Sequence, residues 1–344
     1  MTTSGVARIV VCEDSRTYAR ALTAFLERDE DLRVVGTCTS AEELIGDLAR
    51  VKPDLVTMDL ELPGMSGVEA TQQIMADGPL PIVVLSGHAP RGSERAVAAL
   101  SAGALDAIPK TEVGLTDPDT ASAIAMRRRI KRLARARMRP RSRLATSRRD
   151  SSRLAGRTAS AVGICSSTGG PQALELLLGA LPGDFPVPLL VVQHISPGFL
   201  DGLIRWLDRE IALPVAMATD GARLTAGVTF AADGAHLTLD RGRLRFDRAT
   251  PGSPHRPAGD VLLRSLASEL GAQAAAVVLT GMGRDGALGL GEVAAAGGST
   301  LAQDAETSAV YGMPRAAAEH GAEVICCPHE IGLALGGLTN GTPR

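Results

Sequence analysis

The sequence predicts an α/β protein of two doubly wound domains. The first holds a five-stranded parallel sheet, the second a mostly parallel sheet with an antiparallel hairpin at one edge. Three observations carry this. Strand-like apolar runs and helix-like stretches alternate five times in about 130 residues. The alternation resumes after an Arg-rich segment. There it is interrupted by His236–Phe246, which alternates in period two around Arg241-Gly242 and reads as a hairpin. A chain of 344 residues is also too long for one average domain and suits two.

In order, Arg8–Cys12 reads as a strand and Ser15–Arg28 as a helix with Ser15 as its cap. Leu32–Gly36 is a strand, Ala41–Arg50 a helix and Leu55–Met58 a strand. Val68–Met75 is a helix, Ile82–Leu85 a strand, Glu94–Ser101 a helix and Leu105–Ile108 a strand. A helix from about Pro118 runs into the Arg-rich segment. In the second half three apolar runs, Ala159–Ile164, Val187–Val192 and Ala274–Leu279, each empty into a polar loop followed by a helix-like stretch. Such unbroken runs suit parallel strands covered on both faces.

Aromatics make up only 2% of the chain, so both cores must be aliphatic. No stretch approaches 18 consecutive apolar residues, so no membrane insertion is expected. The N-terminus lacks the basic-then-apolar order of a signal peptide. Cys12, Cys38, Cys165, Cys326 and Cys327 show no paired metal spacing and fit a reducing cytoplasm. Charge is unevenly spread. Arg127–Arg157 holds fourteen basic residues and one acid, Asp150, a net of +13, against −15 for the remainder. This divides the chain into domains at 1–130 and 158–344 with an Arg-rich linker at 131–157, whose unstructured part begins at about 138. Such a segment suits a solvated tether, or docking to acidic surfaces or anionic partners.

The strand ends of the first half carry Glu13-Asp14, Asp59, Ser86 and Lys110. In a parallel sheet these loops share one edge. Clustered carboxylates repel unless a cation joins them, and an all-oxygen set suits Mg²⁺. A carboxylate beside that ion and a lysine is placed to attack a phosphoryl group. Taken singly, Glu13-Asp14 could serve a helix dipole and Asp59 a turn. The segment Asp54–Gly67 (DLVTMDLELPGMSG) resembles the phosphoacceptor loop of response-regulator receiver domains, and the resemblance covers the first 130 residues. It implies Asp59 as the phosphorylated residue, and Glu13, Asp14, Asp59 and the Glu61 backbone carbonyl as Mg²⁺ ligands. It implies Ser86 and Lys110 as the switch hydroxyl and lysine, with a histidine kinase as phosphodonor. Ala107 stands where that family often has an aromatic switch residue, and Thr111 where proline usually follows the lysine.

The loops of the second half offer Ser167, His194 and Asp285. A serine needs a base to become a nucleophile, and the base an orienting carboxylate; such triads are recognised by roles, not chain order. Of six histidines, only His88 and His194 directly follow buried-strand patterns, and His88 belongs to the first half. Asp304 rivals Asp285, but the Gly281–Gly286 loop is glycine-rich and can turn N–H groups toward an oxyanion. Singly, Ser167 could be a helix cap, Asp285 a cap of the helix after it and His194 a sheet-edge histidine. No phosphate-binding glycine motif is present.

From about Ala159 onward the chain resembles the catalytic domain of chemotaxis methylesterases of the CheB family. The matching words are Ser167-Thr168-Gly169-Gly170-Pro171, Gln193–Phe199 (QHISPGF), His255-Arg256-Pro257, Leu279–Ala287 (LTGMGRDGA), Ala302-Gln303-Asp304 and Tyr311–Arg315 (YGMPR). The resemblance implies an α/β hydrolase-like sheet, a Ser167–His194–Asp285 triad, and the Met282 N–H at the oxyanion hole. It implies no cofactor in the catalytic domain. The expected substrates are methylated chemoreceptors, with hydrolysis of glutamate γ-methyl esters and deamidation of certain glutamines. Cys165 replaces the glycine usual two residues before the nucleophile, and Ser166 leaves two adjacent hydroxyls. The alternatives are a receiver-gated interaction protein with an inactive hydrolase domain, or a methylesterase-like regulator of a non-chemotaxis receptor. A nucleic-acid-binding regulator would need a recognition module, and the sequence offers none, so no nucleic-acid partner is expected.

Overall fold

The computed structural model describes residues 5–87, 90–136, 138, 154, 156–249 and 255–340. The chain divides into two compact units, residues 1–140 and 141–344. The linker expected at 131–157 lies largely outside the described residues, as does His88; its first residues complete a helix instead.

The first unit runs β1 (Ala7–Cys12), α1 (Arg16–Leu26), β2 (Leu32–Cys38), α2 (Ala41–Val51), β3 (Leu55–Asp59) and α3 (Gly67–Asp77). It continues with β4 (Ile82–Ser86), α4 (Pro90–Ala102), β5 (Asp106–Pro109) and α5 (Ala121–Leu133). Short polar residues start the helices. Ser15 and Ser40 accept the N–H groups of Tyr18 and Glu43, and Ser66 with Glu69 forms a reciprocal capping box. Strands β3, β4 and β5 are buried at every position, which is why they read as unbroken apolar runs. The sheet order is β2-β1-β3-β4-β5, all parallel. The chain therefore reverses direction between β1 and β3, and the loop after β1 meets the end of β3 at that switch point.

The second unit runs β6 (Thr158–Ala159), β7 (Ala161–Ser166), α6 (Gly170–Leu178), β8 (Leu189–Gln193), α7 (Leu200–Glu210), β9 (Val215–Met217) and β10 (Val228–Phe230). Then come β11 (His236–Asp240), β12 (Arg243–Asp247), α8 (Gly259–Leu270), β13 (Ala274–Val278), α9 (Ala287–Ala295), β14 (Ser299–Gln303) and α10 (Met313–Glu319). The unit closes with β15 (Val324–Cys326), α11 (Pro328–Gly336) and β16 (Thr339–Asn340), which pairs with β6. The main sheet has seven strands in the order β15-β14-β13-β7-β8-β10-β9, and each pairing is parallel. Its switch point lies between β7 and β13.

The expected hairpin exists as β11–β12, but it is a separate two-stranded sheet and not an edge of the main one. Its inward residues Leu237, Leu239 and Leu244 share a buried cluster with Leu262, Leu263 and Leu266 of α8. The period-two pattern specified one buried face; it carried no information about which element would cover it. No helix among the described residues is long and apolar enough to cross a membrane.

Candidate active site

Ser167, His194 and Asp285 stand on the loops after β7, β8 and β13, three adjacent strands at the switch point. The loops are laced together by backbone. Ser167 N–H donates to the Thr280 carbonyl at 3.0 Å, and His194 N–H to the Ser166 carbonyl at 2.9 Å. Gln193 adds a bracket of side-chain bonds. Its Nε2 donates to the carbonyls of Ser167 at 2.9 Å and His194 at 2.8 Å. Its Oε1 accepts the Ser166 hydroxyl at 2.6 Å. That bond separates the two adjacent serines. Ser166 is wholly buried with its hydroxyl committed to Gln193, whereas Ser167 is partly exposed. Helix α6 is capped by Gly169, in a left-handed conformation, and by no side chain, so the Ser167 hydroxyl is not a cap.

His194 Nε2 lies 2.9 Å from Asp285 Oδ2, with both side chains about nine-tenths buried. The distance is that of a close ion pair, but the ring N–H is not well aimed at the carboxylate, and neither ring nitrogen makes a well-formed hydrogen bond among the described residues. Asp285 does not cap α9, whose cap is Gly286. Its carboxylate instead receives the first N–H groups of α8, from Gly259 at 2.6 Å and Asp260 at 3.0 Å. In exchange Asp260 Oδ1 accepts the Gly289 N–H of α9 at 2.9 Å. Two helix N-termini thus trade carboxylates. Burial alone would raise the Asp285 pKa; contact with His194 and the two N–H groups overcomes it and holds the carboxyl below its usual range. Asp260 goes the other way, raised by burial and by the nearby Asp285 charge.

The rival Asp304 is absorbed locally, accepting both the N–H and hydroxyl of Thr307. Burial pushes the Cys165 thiol well up, so this sulfur, two residues before Ser167, is a packed side chain and no competing nucleophile. Its room comes from two glycines. A Cβ on Gly259 would lie 2.5 Å from Cys165 Sγ, and one on Gly286, at φ +85°, would lie 3.0 Å from Cys165 Cβ. The Gly281–Gly286 loop is pinned by Gly281 N–H to the Val310 carbonyl and Met313 N–H to the Gly281 carbonyl. The Met282 N–H donates no hydrogen bond among the described residues, which leaves it available to an oxyanion.

In the first unit, Glu13, Asp14 and Asp59 bring one carboxylate oxygen each to within 4.8 Å of one another. Lys110 Nζ lies 2.7 Å from Glu13 Oε2 and 2.9 Å from Asp59 Oδ2. Glu13 Oε2 makes the ion pair without a well-formed hydrogen bond. Burial raises the Glu13 pKa against the pull of Lys110. A single lysine among three acids leaves excess negative charge, and the donors are all oxygen, so the cluster fits a hard divalent cation. The Ser86 hydroxyl is buried at the end of β4 and contacts the Gly87 carbonyl. The Glu61 N–H donates to Asp59 Oδ1 at 3.2 Å, which brings the Glu61 backbone beside the same carboxylate. Ala107 is buried within β5. An aromatic does face this pocket, from α1: the Tyr18 ring lies 4.7 Å below Lys110 Nζ.

Residues 162–335 match the CheB methylesterase family and residues 9–114 the response regulator receiver domain. The chain is 41% identical over 317 residues to a protein-glutamate methylesterase/protein-glutamine glutaminase of Myxococcus xanthus, covering 90% of this chain and 87% of that one. It is 38% identical over 327 residues to the Agrobacterium fabrum protein of that name, covering 93% and 92%. This chain belongs to the CheB methylesterase family. It is a methylesterase of that family with a receiver domain ahead of the catalytic one, and the inactive-domain alternative is not favoured. Among solved structures, the Thermotoga maritima CheB methylesterase catalytic domain is 36% identical, with a TM-score of 0.48, covering 52% of this chain and 97% of that one.

Four residues at this site go beyond what the sequence reading singles out. Gln193 preceded the expected base but was not weighed as a bracket. Gly259 and Asp260 act through backbone N–H groups, which leave no side-chain signature. His255, part of a matching word, stacks on His194 with ring centroids 4.2 Å apart.

Proposed function

We propose that the protein hydrolyses γ-methyl esters of glutamate residues in chemoreceptors, and deamidates receptor glutamines, through Ser167, His194 and Asp285. The observation that carries this is the His194–Asp285 contact at the strand edge shared with Ser167. Asp285 occupies Nε2, so Nδ1 is the ring nitrogen left for the serine.

Ser167 Oγ attacks the ester carbonyl carbon as its proton passes to His194 Nδ1. The carbonyl oxygen gains charge and is met by the Met282 N–H. Asp285 stabilises the imidazolium, and its two α8 N–H groups keep it ionised. His194 then delivers the proton to the methoxy oxygen, the C–O bond breaks and methanol leaves; with glutamine the leaving group is ammonia. Water loses a proton to His194 and attacks the acyl-serine. Ser167 takes the proton back as glutamate departs. This cycle uses no cofactor in the catalytic domain.

In the receiver domain, Asp59 accepts a phosphoryl group from a histidine kinase. Glu13, Asp14, Asp59 and the Glu61 carbonyl would hold Mg²⁺, which supplies charge neutralisation at the phosphoryl oxygens. Lys110 neutralises the same charge, and Ser86 donates a hydrogen bond to it. The domain layout is receiver 1–130, Arg-rich linker 131–157 and catalytic domain 158–344, acting in the cytoplasm on receptor-associated substrate. The test is methanol release from methylated receptor membranes. Ser167→Ala should lower it by on the order of 10⁴ or more, as removing a triad nucleophile does. Ser166→Ala should keep most activity. The reverse pattern would move the nucleophile by one residue.

A further inference from the structure

The segment His255–Asp260 touches both partners of the base–carboxylate pair. At one end the imidazole of His255 lies on that of His194, with centroids 4.2 Å apart and planes inclined by 19°. At the other, Gly259 and Asp260 hold the two oxygens of Asp285 by backbone N–H groups. Between them the Ala258 N–H donates to Nδ1 of the fully buried His236 at 3.2 Å, which ties the segment to β11.

The contact of His194 with Asp285 is a single one, at Nε2, and it is poorly aligned. A ring held at one atom pivots about that contact. Pivoting moves Nδ1, the nitrogen that the triad reading assigns to the serine, while leaving the 2.9 Å separation unchanged. A flat group lying on the ring face blocks that rotation, because turning the ring out of plane drives its edge into the neighbour. His255 is that group: it is exposed, whereas the His194 side chain is 11% exposed.

We propose that His255 is a positioning residue of the esterase reaction: its stacked ring holds His194 in the plane that keeps Nε2 on Asp285 and Nδ1 toward Ser167. The inference rests on the triad reading above. The role asks for a flat ring and not for an imidazole's proton chemistry. His255→Ala should therefore lower kcat by on the order of 10- to 100-fold, the scale of a small misplacement of a catalytic group, with KM changing less than about twofold. His255→Phe, which keeps a flat ring, should restore most of kcat.

The full-length protein is assayed on methylated receptor membranes, with circular dichroism confirming that each variant folds and His194→Ala run alongside. A His255→Ala enzyme with wild-type kcat overturns the proposal. So does a His255→Phe enzyme as slow as His255→Ala, since the imidazole itself would then be needed, or a change confined to KM, since His255 would then bind substrate. Retained activity in His194→Ala would instead overturn the triad reading, which separates the two failures.

Discussion

The two sites are built at the same place in two parallel sheets, the strand edge beside a switch point, yet they treat their carboxylates in opposite ways. In the receiver pocket, three acids crowd one lysine, and burial raises Glu13 despite that lysine. The pocket holds more negative charge than Lys110 neutralises and fits a divalent cation. At the candidate catalytic site the protein compensates Asp285 itself, through contact with His194 and the two N–H groups that open α8. In the proposed mechanism that charge serves the imidazolium that forms during the reaction. The same strand edge therefore carries either an acid-rich pocket or a carboxylate paired with a histidine, according to whether extra acids or helix ends face the carboxylate.

The sharpest way to break this comparison is to neutralise each carboxylate in turn. Asp59→Asn should eliminate phosphorylation by a small phosphodonor with Mg²⁺, because an amide cannot form an acyl phosphate; intact mass spectrometry reads this directly. Asp285→Asn should leave the receiver's phosphorylation untouched and lower esterase kcat by on the order of 10⁴, as the amide favours the wrong histidine tautomer. A loss of both activities in either variant would show that the carboxylates are structural supports.

A smaller effect is expected at the bracket. Gln193→Met removes both amide donors and leaves the Ser166 hydroxyl and the His194 carbonyl without their partner, while the Ser167 carbonyl keeps only the Gly170 N–H. It should lower kcat by on the order of 10- to 100-fold and cost about 1–3 kcal/mol of stability. Denaturant unfolding and steady-state kinetics test the two parts separately. In the receiver, Mg²⁺ should raise the thermal midpoint of the wild type by mass action, and Asp14→Asn should diminish that rise.

The smallest effect concerns pH. Asp285 is held below its ordinary carboxylate value, so its contribution to stability is fully present above about pH 3.9, the unfolded value, and is lost as pH falls through its lower folded value. The stability gap between wild type and Asp285→Asn should narrow as acid unfolding is followed below about pH 4. A gap that widened toward low pH would show that burial, and not His194 with the α8 N–H groups, dominates at Asp285.

Much of this was legible in the chain. Doubly buried strands must be apolar and their ends must carry the polar loops, so Val187–Val192 pointed to His194 and Leu55–Met58 to Asp59 before any coordinates. The β-alternation of His236–Phe246 announced a hairpin for the same local reason. These features arise from neighbours a few residues apart, where periodicity and turn chemistry act.

The tertiary structure alone decided what commits the Ser166 hydroxyl, which element meets each aspartate and what lowers the Asp285 pKa. Ser166 and Ser167 differ by one position, and in the fold it is Gln193, 27 residues from Ser166, that takes the Ser166 hydroxyl. The sequence prefers Asp285 to Asp304 for its glycine-rich loop; the fold adds that one meets the start of α8 and the other a turn of its own. The stack of His255 on His194 joins residues that no local pattern relates. Backbone N–H groups are identical at every non-proline position, so a sequence cannot show which of them will converge. That convergence depends on how helices dock on a sheet, and docking is set by packing between distant elements.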